Sequence, residues 1–141
     1  MPWSYGDAYL EESDVALLRG PHWLNDAVIG FAFECMQHEG AAVAFFHPAT
    51  VQMAAFLAPD ALELLLEPLA LAERQVVLLP LSDNAEAERA GGSHWTLLAY
   101  FRCVNEFVLF DSCEPASSRR VGPRAIGACD CAGKYLLVYE G

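Results

Sequence analysis

The chain has 141 residues, 55% hydrophobic and 19% charged, with a formal net charge of −11. That balance supports one buried core and excludes a disordered chain, which needs the reverse. The acid excess excludes a phosphate-binding surface for nucleic acid, which needs Lys and Arg; it suits a partner with a basic face, and it serves plain solubility equally well. No run approaches the roughly 18 apolar residues of a membrane span. Met1 to Tyr9 lacks a basic cluster followed by an apolar segment, so no secretory signal is read there. With five cysteines and no such signal, reduced thiols in a cytoplasmic or nuclear setting are expected.

In chain order, residues 1–20 read as an irregular arm, in which Asp7 to Leu18 could hold a short helical turn of poor periodicity, and Pro21 interrupts it. Residues 25–39 read as a helix: Asn25 or Asp26 can cap its first turn. Val28, Ile29, Ala32, Phe33, Cys35 and Met36 make an apolar face at helical spacing, with Cys35 packed in the core. Gly40 is the expected stop. Two shorter helices follow, from about Pro48 to Leu57 and from Pro59 or Asp60 to just before Pro68, proline being suited to a first helical turn. The texture then changes. Gln75 to Leu81 reads as a buried strand, 82–93 as a polar loop, and His94 to Phe101 and Phe107 to Phe110 as two strands joined by a turn. Tyr135 to Tyr139 suggests a fourth strand or a helix stub. N-terminal helices followed by an antiparallel sheet make an α+β protein. Residues 1–114 carry 17 acids and 4 bases, whereas 115–141 carry 2 acids and 4 bases, so a divergent C-terminal segment is expected to begin near residue 115.

Thiol chemistry needs a base beside the sulfur and a third group to orient that base. His94 opens one strand and Asp111 closes the next, so a hairpin would bring both to one edge. Spacing alone fits a strand-end histidine and a turn-forming aspartate more readily than a catalytic pair.

The residues Trp23-Leu24-Asn25-Asp26 with Ile29-Gly30-Phe31, Gly91-Gly92-Ser93-His94-Trp95, and Phe110-Asp111-Ser112 resemble the motifs of sentrin-type, ubiquitin-like-specific cysteine proteases. Leu66-Glu67-Pro68-Leu69 and Asp83-Asn84 make the likeness strongest to the deneddylases of that family. The likeness runs from about Leu18 to Ser112. It implies the front part, 18–114, of a papain-like catalytic domain that cleaves after the C-terminal diglycine of a ubiquitin-like modifier. The modifier of neddylation is favoured over sentrin-type ones, and no cofactor, nucleic acid or membrane is involved. Carried onto these positions, His94 is the general base and Asp111 its orienting partner. Trp23 and Trp95 wall a channel for the modifier tail, and Asp26 contacts the modifier or braces that channel. The loop from Ser82 to Ser93, which holds Asn84, closes over the tail, with Gly91 and Gly92 as its flexible points. Trp23 also reads as a plain hydrophobic anchor.

The likeness breaks at the nucleophile. The family places a cysteine well after the aspartate, next to an oxyanion glutamine; Asp130-Cys131-Ala132-Gly133 only resembles that motif, and residues 76–141 contain no Gln. Cys131 is nevertheless the candidate, ahead of Cys129, while Cys113 sits too close to Asp111 in sequence to serve. A catalytically dead, modifier-binding pseudoprotease or a truncated fragment is the alternative to a working peptidase. Cys129 and Cys131 lack the matching His or Cys pair of a zinc site, so no metal is expected.

Overall fold

The computed structural model describes residues 3–37, 42–84 and 92–113, together with the backbone of 118–121. A hairpin of β1 (Trp3–Tyr5) and β2 (Ala8–Leu10) leads into α1 (Glu12–Leu17) and α2 (Asp26–Met36). Strand β3 (Val43–Phe45), helices α3 (Pro48–Ala54) and α4 (Pro59–Leu66), and two 3-10 turns at Glu67–Leu69 and Leu71–Glu73 follow. The chain then runs through β4 (Val76–Ser82), β5 (Trp95–Phe101), β6 (Glu106–Phe110) and β7 (Ser118–Val121). The result is mixed helix and sheet, as the texture of the sequence implies.

The main sheet has the order β3-β4-β5-β6-β7. It is mixed rather than purely antiparallel, because β3 runs parallel to β4, with Val43 opposite Val76 and Phe45 opposite Leu78. Three residues carry too little alternation to announce a strand, so β3 is set by its neighbour rather than by its own pattern. The other pairs are antiparallel, Val76 to Ser82 facing Phe101 to Trp95 and Leu97 to Phe101 facing Phe110 to Glu106. Pro80 is tolerated because it lies two residues beyond the last β3 partner, where the ladder on that side has ended.

Helices α3 and α4 cover one face of this sheet. Phe46, Val51, Ala54, Leu62, Leu66 and Leu71 from the helical layer meet Val77, Leu79, Leu98, Tyr100, Phe107 and Leu109 from the strands in one buried cluster. Burying a side chain of that size contributes about 1.5–3 kcal/mol each. The strand residues in the cluster alternate, which fixes which side chains at the strand ends share its face.

Residues 3–18 form the hairpin, where the sequence reads as irregular, and α1, which lies within the Asp7–Leu18 stretch read as able to hold a helical turn. The Gly6-Asp7 turn joins the hairpin strands, and the Glu11 N–H donates to Asp14 Oδ2 at 2.9 Å to start α1. Helix α2 ends at Met36, with Gln37 already extended, three residues short of the expected end. Its apolar face is narrower than the sequence suggests: Val28 is buried, whereas Met36 is 48% exposed and Cys35 is an exposed thiol rather than a core residue. The helix packs chiefly on the small hairpin and on α3 and meets the main sheet through Phe33, whose ring lies 5.1 Å from that of Phe45 in β3, so it has less surface to bury. No helix among the described residues is long and apolar enough to cross a membrane. The expected fourth strand at Tyr135 to Tyr139 lies outside the described residues.

Candidate active site

The site lies at the ends of β4, β5 and β6. Continuing the β5–β6 register three residues past Leu97 and Phe110 sets His94 opposite Cys113 and makes Asp111 its diagonal neighbour on the same face. His94 Nε2 and Asp111 Oδ1 are accordingly 2.7 Å apart, with side chains 22% and 17% exposed. Asp111 Oδ1 also accepts the Cys113 backbone N–H at 2.9 Å, an Asx turn that ends the strand and folds the chain back toward the imidazole. Cys113 Sγ then lies 3.7 Å from His94 Nδ1.

An ionised carboxylate only accepts hydrogen bonds, so the neutral imidazole carries its proton on Nε2 and donates it to Asp111. Nδ1 is left with a lone pair. A carboxylate in this position also stabilises the imidazolium that forms when Nδ1 takes a proton. The group can therefore act as an oriented general base.

Asp83 fixes the approach to His94. Its carboxylate accepts the Ser93 N–H at 2.6 Å, the Ser93 hydroxyl at 2.7 Å and the His94 N–H at 3.1 Å. The Asp83 N–H donates to the His94 carbonyl at 3.2 Å, extending the β4–β5 ladder by one step. These bonds, led by that from the Ser93 hydroxyl, hold the Asp83 carboxyl below its ordinary value. Gly92 has φ +96°, and a Cβ there would come 2.5 Å from Ser82 Oγ; only glycine fits without strain.

The opposite wall is helical. The Asn25 side chain accepts the Val28 N–H at 3.0 Å and donates to Asp14 Oδ1 at 2.7 Å, so one residue caps α2 and ties it to α1. Gly30 lets α2 approach the start of α3: a Cβ there would collide with the His47 imidazole. Trp23, 67% exposed, and Asp26 stand at the head of α2. The Trp95 indole N–H donates to the Leu24 carbonyl at 2.8 Å, and the Gln52 amide donates to the Asn84 carbonyl at 3.1 Å. These two bonds bridge the walls.

Between the walls runs a cleft of about 770 Å³ lined by Trp23, Asp26, Asn84, Gly92, His94 and Trp95, with Met53 and Phe56 of the α3 region on its apolar side. The structure thus brings together His94 and Asp111 on one side and Trp23, Asp26, Asn84, Gly92 and Trp95 around one cleft. Gly91 and Cys131 lie outside the described residues. Sequence reasoning did not find the bracing role of Asp83, the contributions of Gln52 and Phe56, or the proximity of Cys113 to the imidazole. The first and last become legible once the strand register is known. His94, Asp111 and Cys113 are also a set of three metal-type donors, with ligand atoms within 4.8 Å of one another. Within that set Nε2 contacts Asp111 Oδ1 and Nδ1 contacts Cys113 Sγ, the order of a proton relay.

No protein-family model matches the chain. Among curated proteins, the human sentrin-specific protease 8 is 41% identical over 119 residues, covering 77% of this chain and 54% of the relative. The NEDD8-specific protease 1 of Arabidopsis thaliana is 37% identical over 114 residues, covering 77% of this chain and 50% of its own length. The probable sentrin-specific protease 8 of Dictyostelium discoideum is 31% identical over 120 residues, covering 77% and 49%. The chain spans about half the length of the curated relatives it matches. With its strand-end histidine and aspartate beside a tryptophan-lined cleft, the chain belongs to the sentrin- and NEDD8-specific protease family.

Proposed function

We propose that the chain carries the base and the tail channel of a cysteine-type peptidase that releases a ubiquitin-like modifier, with the neddylation modifier as its substrate. The observation that carries this reading is the 2.7 Å His94–Asp111 contact at a cleft flanked by Trp23 and Trp95. An extended tail ending in two glycines fits between flat rings that exclude larger side chains. The acidic chain, net −11, suits a modifier with a basic face.

In this papain-like scheme a thiolate attacks the carbonyl carbon of the terminal glycine. His94 takes the thiol proton and returns it to the leaving amine, while Asp111 holds the ring. Water then hydrolyses the thioester. Cys131 is the family-like candidate for the thiol, and a cytoplasmic or nuclear setting keeps it reduced.

The test is turnover of the neddylation modifier carrying a fluorogenic C-terminal amide. Wild-type chain releases the fluorophore, and His94→Ala lowers the rate at least about a hundredfold. Absence of turnover together with binding that Trp95→Ala weakens would select a modifier-binding pseudoprotease; the missing Gln in residues 76–141 is the feature that favours this second reading. Neither turnover nor binding would end both.

A further inference from the structure

The described residues contain a complete set of the three groups that activate a sulfur nucleophile, and the sulfur is not Cys131. Cys113 Sγ stands 3.7 Å from His94 Nδ1, and His94 Nε2 stands 2.7 Å from Asp111 Oδ1. Thiol, base and orienting carboxylate in that sequence are the signature of an activated nucleophile. Nearness of Cys113 to Asp111 in the chain is no obstacle. The continued β5–β6 register places residue 113 opposite residue 94, and the Asx turn at Asp111 returns the loop to the ring. Cys113 is also exposed, so a reagent can reach it.

We propose that Cys113 is an activated thiol, its proton taken by His94 as it reacts, and open to covalent modification by carbon electrophiles that reach the exposed strand end beside His94. The site rests on the imidazole invoked for the peptidase, but not on the identity of any modifier. In the step itself the Sγ–H proton passes to Nδ1, Sγ forms a bond to the electrophilic carbon, and the leaving group departs with the electron pair of the broken bond. The imidazolium, held by Asp111, then releases the proton to water. With iodoacetamide the product is the S-carbamidomethyl cysteine and iodide.

The protein supplies its own controls. Cys35 and Cys103 are exposed free thiols elsewhere on the surface, so a difference in rate does not follow from access alone. The experiment is timed alkylation of the full, reduced chain by iodoacetamide with EDTA present. Cleavage at Glu106 then separates Cys103 from Cys113 for mass spectrometry. Cys113 is expected to react at least about tenfold faster than Cys35 and Cys103, a part of the roughly 10²–10⁴-fold that general-base catalysis supplies. His94→Ala brings it to the Cys103 rate and leaves Cys103 unmoved. Asp111→Asn keeps an acceptor oxygen for the Cys113 N–H and lowers the Cys113 rate by part of that factor; His94→Gln gives the same comparison in a variant that keeps a polar side chain. Equal rates at the three thiols, or a Cys113 rate indifferent to all three substitutions, would overturn the proposal. Modifier turnover is not read in this experiment, so either idea can fail while the other stands.

Discussion

The two walls of the cleft are built by different physics. The sheet wall is set by a ladder: Leu98, 3% exposed, and Leu109, 8% exposed, anchor β5 and β6 in the core, and the register then delivers His94, Trp95 and Asp111 to one edge. The helical wall is set by caps and single contacts: Asn25 at the head of α2, Gly30 against His47, and the Trp95–Leu24 bond. Positioning that comes from a packed register is shared by many residues, whereas positioning by caps is concentrated in a few. The residues proposed to move protons, His94 and Asp111, stand on the first kind of wall, and those proposed to touch a modifier tail, Trp23 and Asp26, stand on the second.

The sharpest way to break this contrast is to weaken each wall at its own anchor. Leu98→Ala is expected to cost about 2–5 kcal/mol, because it opens a cavity under the sheet wall. Urea unfolding reads that loss directly. Asn25→Ala removes the α2 cap and the tie to Asp14, and is expected to cost about 1–2 kcal/mol. Its effect stays on the helical side, so hydrogen exchange rises in α1 and α2 while β5 and β6 keep their protection. If Asn25→Ala costs as much as Leu98→Ala, the walls are not independent in the way described.

The smallest effect is a matter of pH. The Asp83 carboxyl is held below its ordinary value of 3.8 by bonds from Ser93 and His94. A depressed folded value means that its contribution is fully present above the unfolded value and is lost as pH falls through the lower folded value. Below about 3.8 the loop ends at 83 and 93 are therefore expected to loosen before the sheet unfolds. Amide shifts of Ser93 and His94, followed on acidification, check this, and Asp83→Asn removes the transition.

Much of this arrangement was legible in residue order, and the misses have physical causes. Pro48 and Pro59 mark helix starts, and the Val- and Leu-rich run before the polar loop marks β4, because these signals are local. Cys35 sits at an apolar helical position yet is exposed, since the pattern says which residues share a face but not how wide a surface will cover it. The pairing of His94 with Asp111 could be drawn from strand order. The place of Cys113 could not, because it depends on a register that no short-range signal encodes. β3 and the N-terminal hairpin are three-residue strands, too short for a period.

The geometry implies that the sheet edge presents His94 with its proton on Nε2, given to Asp111, and its Nδ1 lone pair toward Cys113 Sγ. Nitrogen-15 NMR of the His94 ring, in the wild-type chain and in Asp111→Asn, reads this directly. The wild-type ring is expected as the Nε2–H tautomer and the variant ring as a mixture of both tautomers. A wild-type ring protonated on Nδ1, or a tautomer indifferent to Asp111, would contradict this placement of the proton.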